Sequence, residues 1–166
     1  AGTFSDASAN TNSVSNTYSW TYDGTGPTMT ITSATVASGA STTTAAIALT
    51  FTSNEVTTNF AQDDITETGC SLGTFDATST TVYTDTCTVS ADGAASVAVA
   101  AGTFSDAVSN TNSVSNTYSW TQDDTGPTMT ITSATVASGA TTATAAVALV
   151  FTSNEATSNF DVDDIT

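Results

Sequence analysis

The sequence predicts an all-β protein of tandem sandwich domains, with about seven antiparallel strands in each repeat of 100 residues. Residues 1–66 and 101–166 are two copies of one sequence, and they differ at 12 of 66 positions. Short apolar and polar alternations recur between turn residues at roughly 8–12-residue intervals. The 39% of hydrophobic residues can form a core, which argues against the disorder that a high net charge also allows. A period this long matches one small sandwich domain and exceeds any solenoid repeat.

A short acidic segment marks the boundary between repeats. Residues 23–27 return as residues 123–127, and these two segments hold both prolines of the chain. Cutting there leaves residues 1–24 as the C-terminal strands of a preceding repeat, 25–124 as one complete repeat, and 125–166 as the N-terminal strands of a following repeat. Neither flank can bury a core alone, so we expect either a longer repetitive protein or flanks completed by neighbouring copies.

Alternating residues define the strands of the complete repeat. One strand opens at Pro27, a short strand starts at Ile65, and later strands are expected over 82–89, 97–104 and up to Trp120. The residues expected to share an apolar face are Met29 and Ile31 in the first strand, Ile47, Leu49 and Phe51 in the second, and Val114, Tyr118 and Trp120 in the last. About seven short strands with this spacing predict an immunoglobulin-like sandwich.

The charge excludes several classes of function. The chain has no Lys, Arg or His and carries a formal charge of −16, so nucleic acid and acidic membranes are poor partners, whereas divalent cations are good ones. No apolar run could insert into a membrane. Without an imidazole, amine or guanidinium group the chain is not expected to be an enzyme. A glycosidase pair such as Asp63 and Asp64 fails because adjacent strand residues point to opposite faces.

Six segments together resemble bacterial immunoglobulin-like repeats of giant surface adhesins. The segments are residues 25–31, 51–55, 63–66, 91–93, 101–106 and 118–121. The resemblance covers the whole chain at its 100-residue period, and the chain departs from it in lacking basic residues and in having a cysteine pair. It implies an extracellular or cell-surface location and a structural role.

Antiparallel strands would bring most of the acidic loops to one end of the repeat. The same end holds the acidic segment 23–27, through which the chain enters the repeat and which we call the incoming junction. The residues expected there are Asp23, Glu55, Asp63, Asp64 and Asp106, with Asn110 and Asn112 as amide oxygen ligands. Carboxylates without a cationic partner repel each other unless a cation lies between them, and Ca²⁺ fits such a set better than Mg²⁺. Similar junctions in the resembled family hold calcium and stiffen the array. The competing interpretation is that these residues only solubilise loops and form Asx turns.

The second copy supplies a corresponding set of acidic residues at the outgoing junction, residues 123–127, through which the chain leaves the repeat. Its members are Asp123, Asp124, Glu155, Asp163 and Asp164. Because Asp124 replaces Gly24, we expect the second site to hold its ion more tightly.

Cys70 and Cys87 are the only cysteines, and they flank a hairpin-like region. An internal disulfide in an oxidising compartment is the favoured interpretation. Two free thiols or a bridge between chains are the alternatives.

Three functions remain open. The first is a stalk or fibre module of a secreted or cell-surface repetitive protein, stiffened by Ca²⁺ at its junctions. Its partners would be neighbouring copies of the repeat, with host or cell-surface ligands held by other parts of a longer chain. The second is a subunit of an extracellular filament or surface layer, completed by strand exchange between neighbours. The third, a carbohydrate-binding module, would use Trp20 and Trp120 as stacking platforms, although such alternating aromatics more often belong to the core.

Overall fold

A computed structural model describes residues 1–166, which form β-strands, connecting loops and two 3₁₀ helices. The strands are β1 (Met29–Thr32), β2 (Ser41–Thr42), β3 (Ala46–Ser53), β4 (Ile65–Thr68), β5 (Ser71–Leu72), β6 (Val82–Thr88), β7 (Gly93–Val99), β8 (Tyr118–Gln122), β9 (Met129–Thr132) and β10 (Val150–Ser153). The 3₁₀ helices are Gln62–Asp64 and Val162–Asp164. No helix has the length and apolar character needed to span a membrane.

Two four-stranded sheets build the central sandwich. One sheet has the order β1-β3-β6-β5, and the other has the order β2-β8-β7-β4. Neighbouring strands are antiparallel except β2 and β8, which run parallel. The chain therefore leaves the first sheet after β1 and joins the edge of the second sheet as β2. The start of the repeat thus lies beside β8, its last strand.

The predicted inward faces form the core. Met29, Ile31, Ile47, Leu49 and Phe51 are all at most 3% exposed, whereas the threonines that alternate with them in β1 face solvent. All 23 buried residues lie between positions 27 and 122. The all-β, immunoglobulin-like prediction is thus confirmed for the central residues, while the division at 24/25 and 124/125 stays a prediction.

Two predictions for the last third of the repeat are wrong. The strand expected to reach Phe104 ends at Val99, and the turn that follows places Gly102 at a φ of +78°, which favours glycine. Val114 is 67% exposed and does not share the buried face of Tyr118 and Trp120, because β8 begins only at Tyr118. The next residue, Ser115, accepts a hydrogen bond from the Val99 N–H on its Oγ, at 2.8 Å.

The predicted disulfide is present. Cys70 and Cys87 are bonded with their Cα atoms 5.7 Å apart, and Cys87 is completely buried. Leu72, two residues after Cys70, pairs with Cys87 across β5 and β6. The bridge therefore ties the short edge strand β5 to the centre of its sheet.

The flanks have the sequence of the central strands but few of their contacts. Tyr18 and Trp20 are 82% and 78% exposed and lie outside any strand, although Tyr118 and Trp120 are buried in β8. Leu149 is 52% exposed, whereas Leu49 is 1% exposed. Identical residues adopt different structures here because strand formation depends on a partner to pack against.

Candidate metal centre

The incoming junction is held against the loop that follows β7. The Asn110 Nδ2 donates hydrogen bonds to the carbonyls of Asp23 and Thr25, at 3.2 and 3.3 Å. Gly26 lies so close to this loop that a Cβ on it would be 2.0 Å from the Thr111 carbonyl oxygen. The junction therefore requires glycine at position 26 and a side-chain amide at position 110.

Asp106 organises the loop on which Asn110 lies. Its Oδ1 accepts hydrogen bonds from the Val108 and Asn110 N–H groups at 2.9 Å, and its Oδ2 accepts one from the Asn110 Nδ2, also at 2.9 Å. Burial acts to raise the pKa of Asp106, which is 6% exposed, but these hydrogen bonds outweigh burial and lower it. Asp106 is therefore held as a buried anion.

Glu55 approaches Asp106 from the end of β3. Its N–H donates to the Ser53 Oγ at 3.4 Å, and its Oε1 is buried without any hydrogen-bond partner. Burial, followed by the negative charges of Asp23 and Asp106, raises the pKa of Glu55. The Oε1 of Glu155 is also buried and unpartnered, so the turn after the strand hides this oxygen in both copies.

Asp23, Glu55 and Asp106 converge on one point. One carboxylate oxygen from each lies within 4.8 Å of the others, and the three residues are exposed, half-buried and buried respectively. With no Lys, Arg or His in the chain, no side chain can neutralise the set. Hard cations such as Ca²⁺ take carboxylate ligands at 2.3–2.6 Å and draw further ligands from water, so the donor set fits such an ion.

The other residues predicted for this site lie outside the group of three. Asp63 and Asp64 belong to a 3₁₀ helix rather than to a strand, and the Asp64 Oδ2 accepts from the Ala61 N–H at 2.9 Å. Asn112, 3% exposed, accepts from the Thr103 and Phe104 N–H groups through its Oδ1. The Asp64 and Asn112 side chains therefore have local structural roles.

At the outgoing junction no second group of three carboxylates forms. The Asp124 N–H donates to the Asp92 Oδ1 at 2.9 Å, and the Thr125 Oγ1 bonds to the Asp92 Oδ2. These hydrogen bonds, the one from Thr125 foremost, lower the pKa of Asp92. Asp123, Glu155, Asp163 and Asp164 have no counterpart of Asp106 beside them, because the other residue at that position of the repeat, Asp6, lies in the N-terminal flank.

Sequence reasoning missed two acidic residues that organise the fold. Asp92 fixes the outgoing junction, as described above. Asp85 is 3% exposed in β6, where it accepts from the Gln62 Nε2 at 2.7 Å and from the Gly73 N–H at 3.0 Å. The alternation Tyr83, Asp85, Cys87 places Asp85 on the inward face, and this pattern is readable in the sequence.

A comparison with family models matches residues 23–121 to the bacterial Ig-like domain. Neither the curated proteins nor the solved structures gave a match. The matched residues span the candidate metal centre and both sheets of the central sandwich. Domains of this kind are typically non-enzymatic structural or surface modules and are often extracellular. The chain belongs to the family of bacterial Ig-like domains.

Proposed function

We propose that the chain is a stalk or fibre module of a secreted or cell-surface repetitive bacterial protein, and that Ca²⁺ bound by Asp23, Glu55 and Asp106 stiffens the junction. The convergence of these three carboxylates within 4.8 Å carries the proposal. Neighbouring copies of the repeat are its partners along the stalk. Host or cell-surface ligands belong to other parts of a longer chain.

The three carboxylates come from two different parts of the chain. Asp23 belongs to the junction, whereas Glu55 and Asp106 belong to loops of the central sandwich. Without a cation, the charges of Glu55 and Asp106 repel Asp23 and oppose the hydrogen bonds from Asn110. A divalent ion converts this repulsion into attraction and fixes the direction in which the chain enters the domain.

Calorimetric titration of the 166-residue chain with CaCl₂ tests the proposal. We expect binding at the group of three, which Glu55→Gln and Asp106→Asn abolish. Glu67→Gln is the matched control, because Glu67 is an exposed residue of β4 and loses the same charge.

Asp63→Asn distinguishes the group of three carboxylates from the larger ligand set predicted from the sequence, which also includes Asp63. Binding unchanged by Asp63→Asn but lost in Glu55→Gln supports the group of three. Binding that survives Glu55→Gln refutes it, as does a chain that takes up no Ca²⁺.

A further inference from the structure

The first and last segments of the complete repeat lie side by side from one end of the sandwich to the other. At least eight hydrogen bonds join the first segment, residues 27–42, to the last segment, residues 113–123. At one end the Ser113 N–H donates to the Pro27 carbonyl at 3.0 Å, and at the other the Asp123 N–H donates to the Thr42 carbonyl, also at 3.0 Å. We call this set of bonds the terminal seam.

The terminal seam is parallel over its whole length. The regular pair β2 and β8 forms its last part and runs parallel. Before it, Asn116 exchanges two hydrogen bonds with the backbone of Ile31, at 2.8 and 3.0 Å, and the Tyr118 hydroxyl donates to the Val36 carbonyl. The residues in these contacts are 85 and 82 positions apart, so the contacts follow one another in the same order along both segments.

Tension along the chain pulls the two sides of the terminal seam in opposite directions. The incoming junction lies where β3 ends, since the Thr28 N–H donates to the Asn54 Oδ1 at 2.6 Å. The outgoing junction lies at the opposite end of the sandwich, where β7 begins, since Gly93 pairs with Gln122. A pull on both junctions therefore slides the first segment past the last. Hydrogen bonds between strands lie across the strand direction, so this pull loads them together in shear.

We infer that the terminal seam bears force, and that the repeat has a mechanical function: it keeps its folded length while the chain is under tension. The inference rests on the proposed stalk for the source of the tension, but it does not involve calcium. Residues 43–112 lie between the two segments in the chain. Because the terminal seam holds both ends of this stretch together, residues 43–112 are not stretched until the seam has broken.

Asn116 is the side chain on which the terminal seam depends most. It lies between the bond of Ser113 and the bond of Tyr118, before β8 begins. Its amide donates to the Ile31 carbonyl and accepts from the Ile31 N–H, as the backbone of a neighbouring strand would. Ile31 belongs to β1 in one sheet, whereas the segment after Asn116 enters the other sheet as β8. Asn116 thus links the two sheets under load.

Stretching the 166-residue chain between its two termini with optical tweezers, in EDTA, tests the inference. We expect Asn116→Ala to raise the unfolding rate at a fixed force by at least about tenfold, because it removes two loaded hydrogen bonds. Asn59→Ala is the matched control, since the Asn59 Oδ1 also accepts two hydrogen bonds, from the N–H and the hydroxyl of Ser105. Both of these residues lie in the stretch that is not loaded, so the rate under force should stay close to that of the wild type.

A second pulling direction tests the terminal seam with Asn116 in place. One handle is attached through Thr44→Cys, just after β2, and the other at the C-terminus. These handles pull apart the end of the seam where Thr42 and Gln122 are partners, so its bonds break one after another. At the same force, unfolding should be at least about tenfold faster than between the two termini.

The disulfide identifies the unfolding of the central domain in these records. With Cys70 and Cys87 bonded, the released length should be about 50 Å shorter than after reduction, because a loop with a sequence separation of 17 stays closed. Equal rates in the two pulling directions overturn the inference, and so does an Asn116→Ala chain that unfolds under force no faster than Asn59→Ala. A chain that binds no Ca²⁺ would refute the calcium proposal and leave these rates unchanged, so the two failures are distinguishable.

Discussion

Trp120 and Trp20 occupy the same position in the two copies of the repeat, and replacing each by alanine should have very different effects on stability. Trp120 is 2% exposed and belongs to the 16-residue core, whereas Trp20 is 78% exposed. Removing a buried Trp costs about 3–5 kcal/mol. The Trp120 Nε1 is buried without a partner, and its removal relieves that unfavourable state, so we expect the lower value, about 3 kcal/mol.

Urea denaturation followed by far-UV circular dichroism measures both changes without relying on tryptophan fluorescence. Trp20→Ala should lie within about 0.5 kcal/mol of the wild type, as exposed positions usually do. A loss of 3 kcal/mol for Trp120→Ala corresponds to a fall in melting temperature of roughly 12–24 °C in a domain of this size. Equal losses for Trp20→Ala and Trp120→Ala would show that the two copies are equally packed, which refutes the assignment of the core to residues 27–122.

Three further predictions concern the disulfide, the junction and pH. Replacing Cys70 and Cys87 together by alanine opens a loop with a sequence separation of 17 and should lower the unfolding free energy by about 3 kcal/mol in denaturant titrations. Gly26→Ala should lower the melting temperature and Gly126→Ala should not, because a Cβ at position 126 meets nothing within 4 Å, and equal effects would contradict the close approach at position 26. Glu55 has a pKa raised above its ordinary 4.5, so the metal-free domain should lose stability as pH rises through that range. Thermal melts in EDTA should show this loss in the wild type and not in Glu55→Gln, and an identical pH profile would contradict it.

The strands that could be predicted from sequence are those with a strict period of two. The inward residues of β1 and β3 are readable because each alternates with small or polar residues. The prediction that Val114 lies on the inward face is wrong, because it extends the period of two of β8 into preceding residues that are held by side-chain contacts. Asn116, two residues further on, forms hydrogen bonds with the backbone of Ile31, which is 85 residues away in the sequence. No local sequence pattern predicts that contact.

For the candidate site, the sequence predicts a larger set of ligands than the structure brings together. Antiparallel strand order predicts that Asp23, Glu55 and Asp106 meet, and their oxygens do lie together. It cannot tell a carboxylate aimed at a cation from one that caps a backbone N–H. Asp64 caps the 3₁₀ helix in this way, and the choice depends on side-chain rotamers that strand order does not fix.

Backbone ¹⁵N relaxation of residues 21–26, recorded with Ca²⁺ and with EDTA, tests the central claim that calcium stiffens the junction. We expect order parameters of about 0.85 with Ca²⁺ and clearly lower values in EDTA, while residues of β3 stay rigid in both conditions. Glu55→Gln should give the lower values even with Ca²⁺ present. Order parameters at the junction that are the same with Ca²⁺ and with EDTA would show that calcium does not stiffen it.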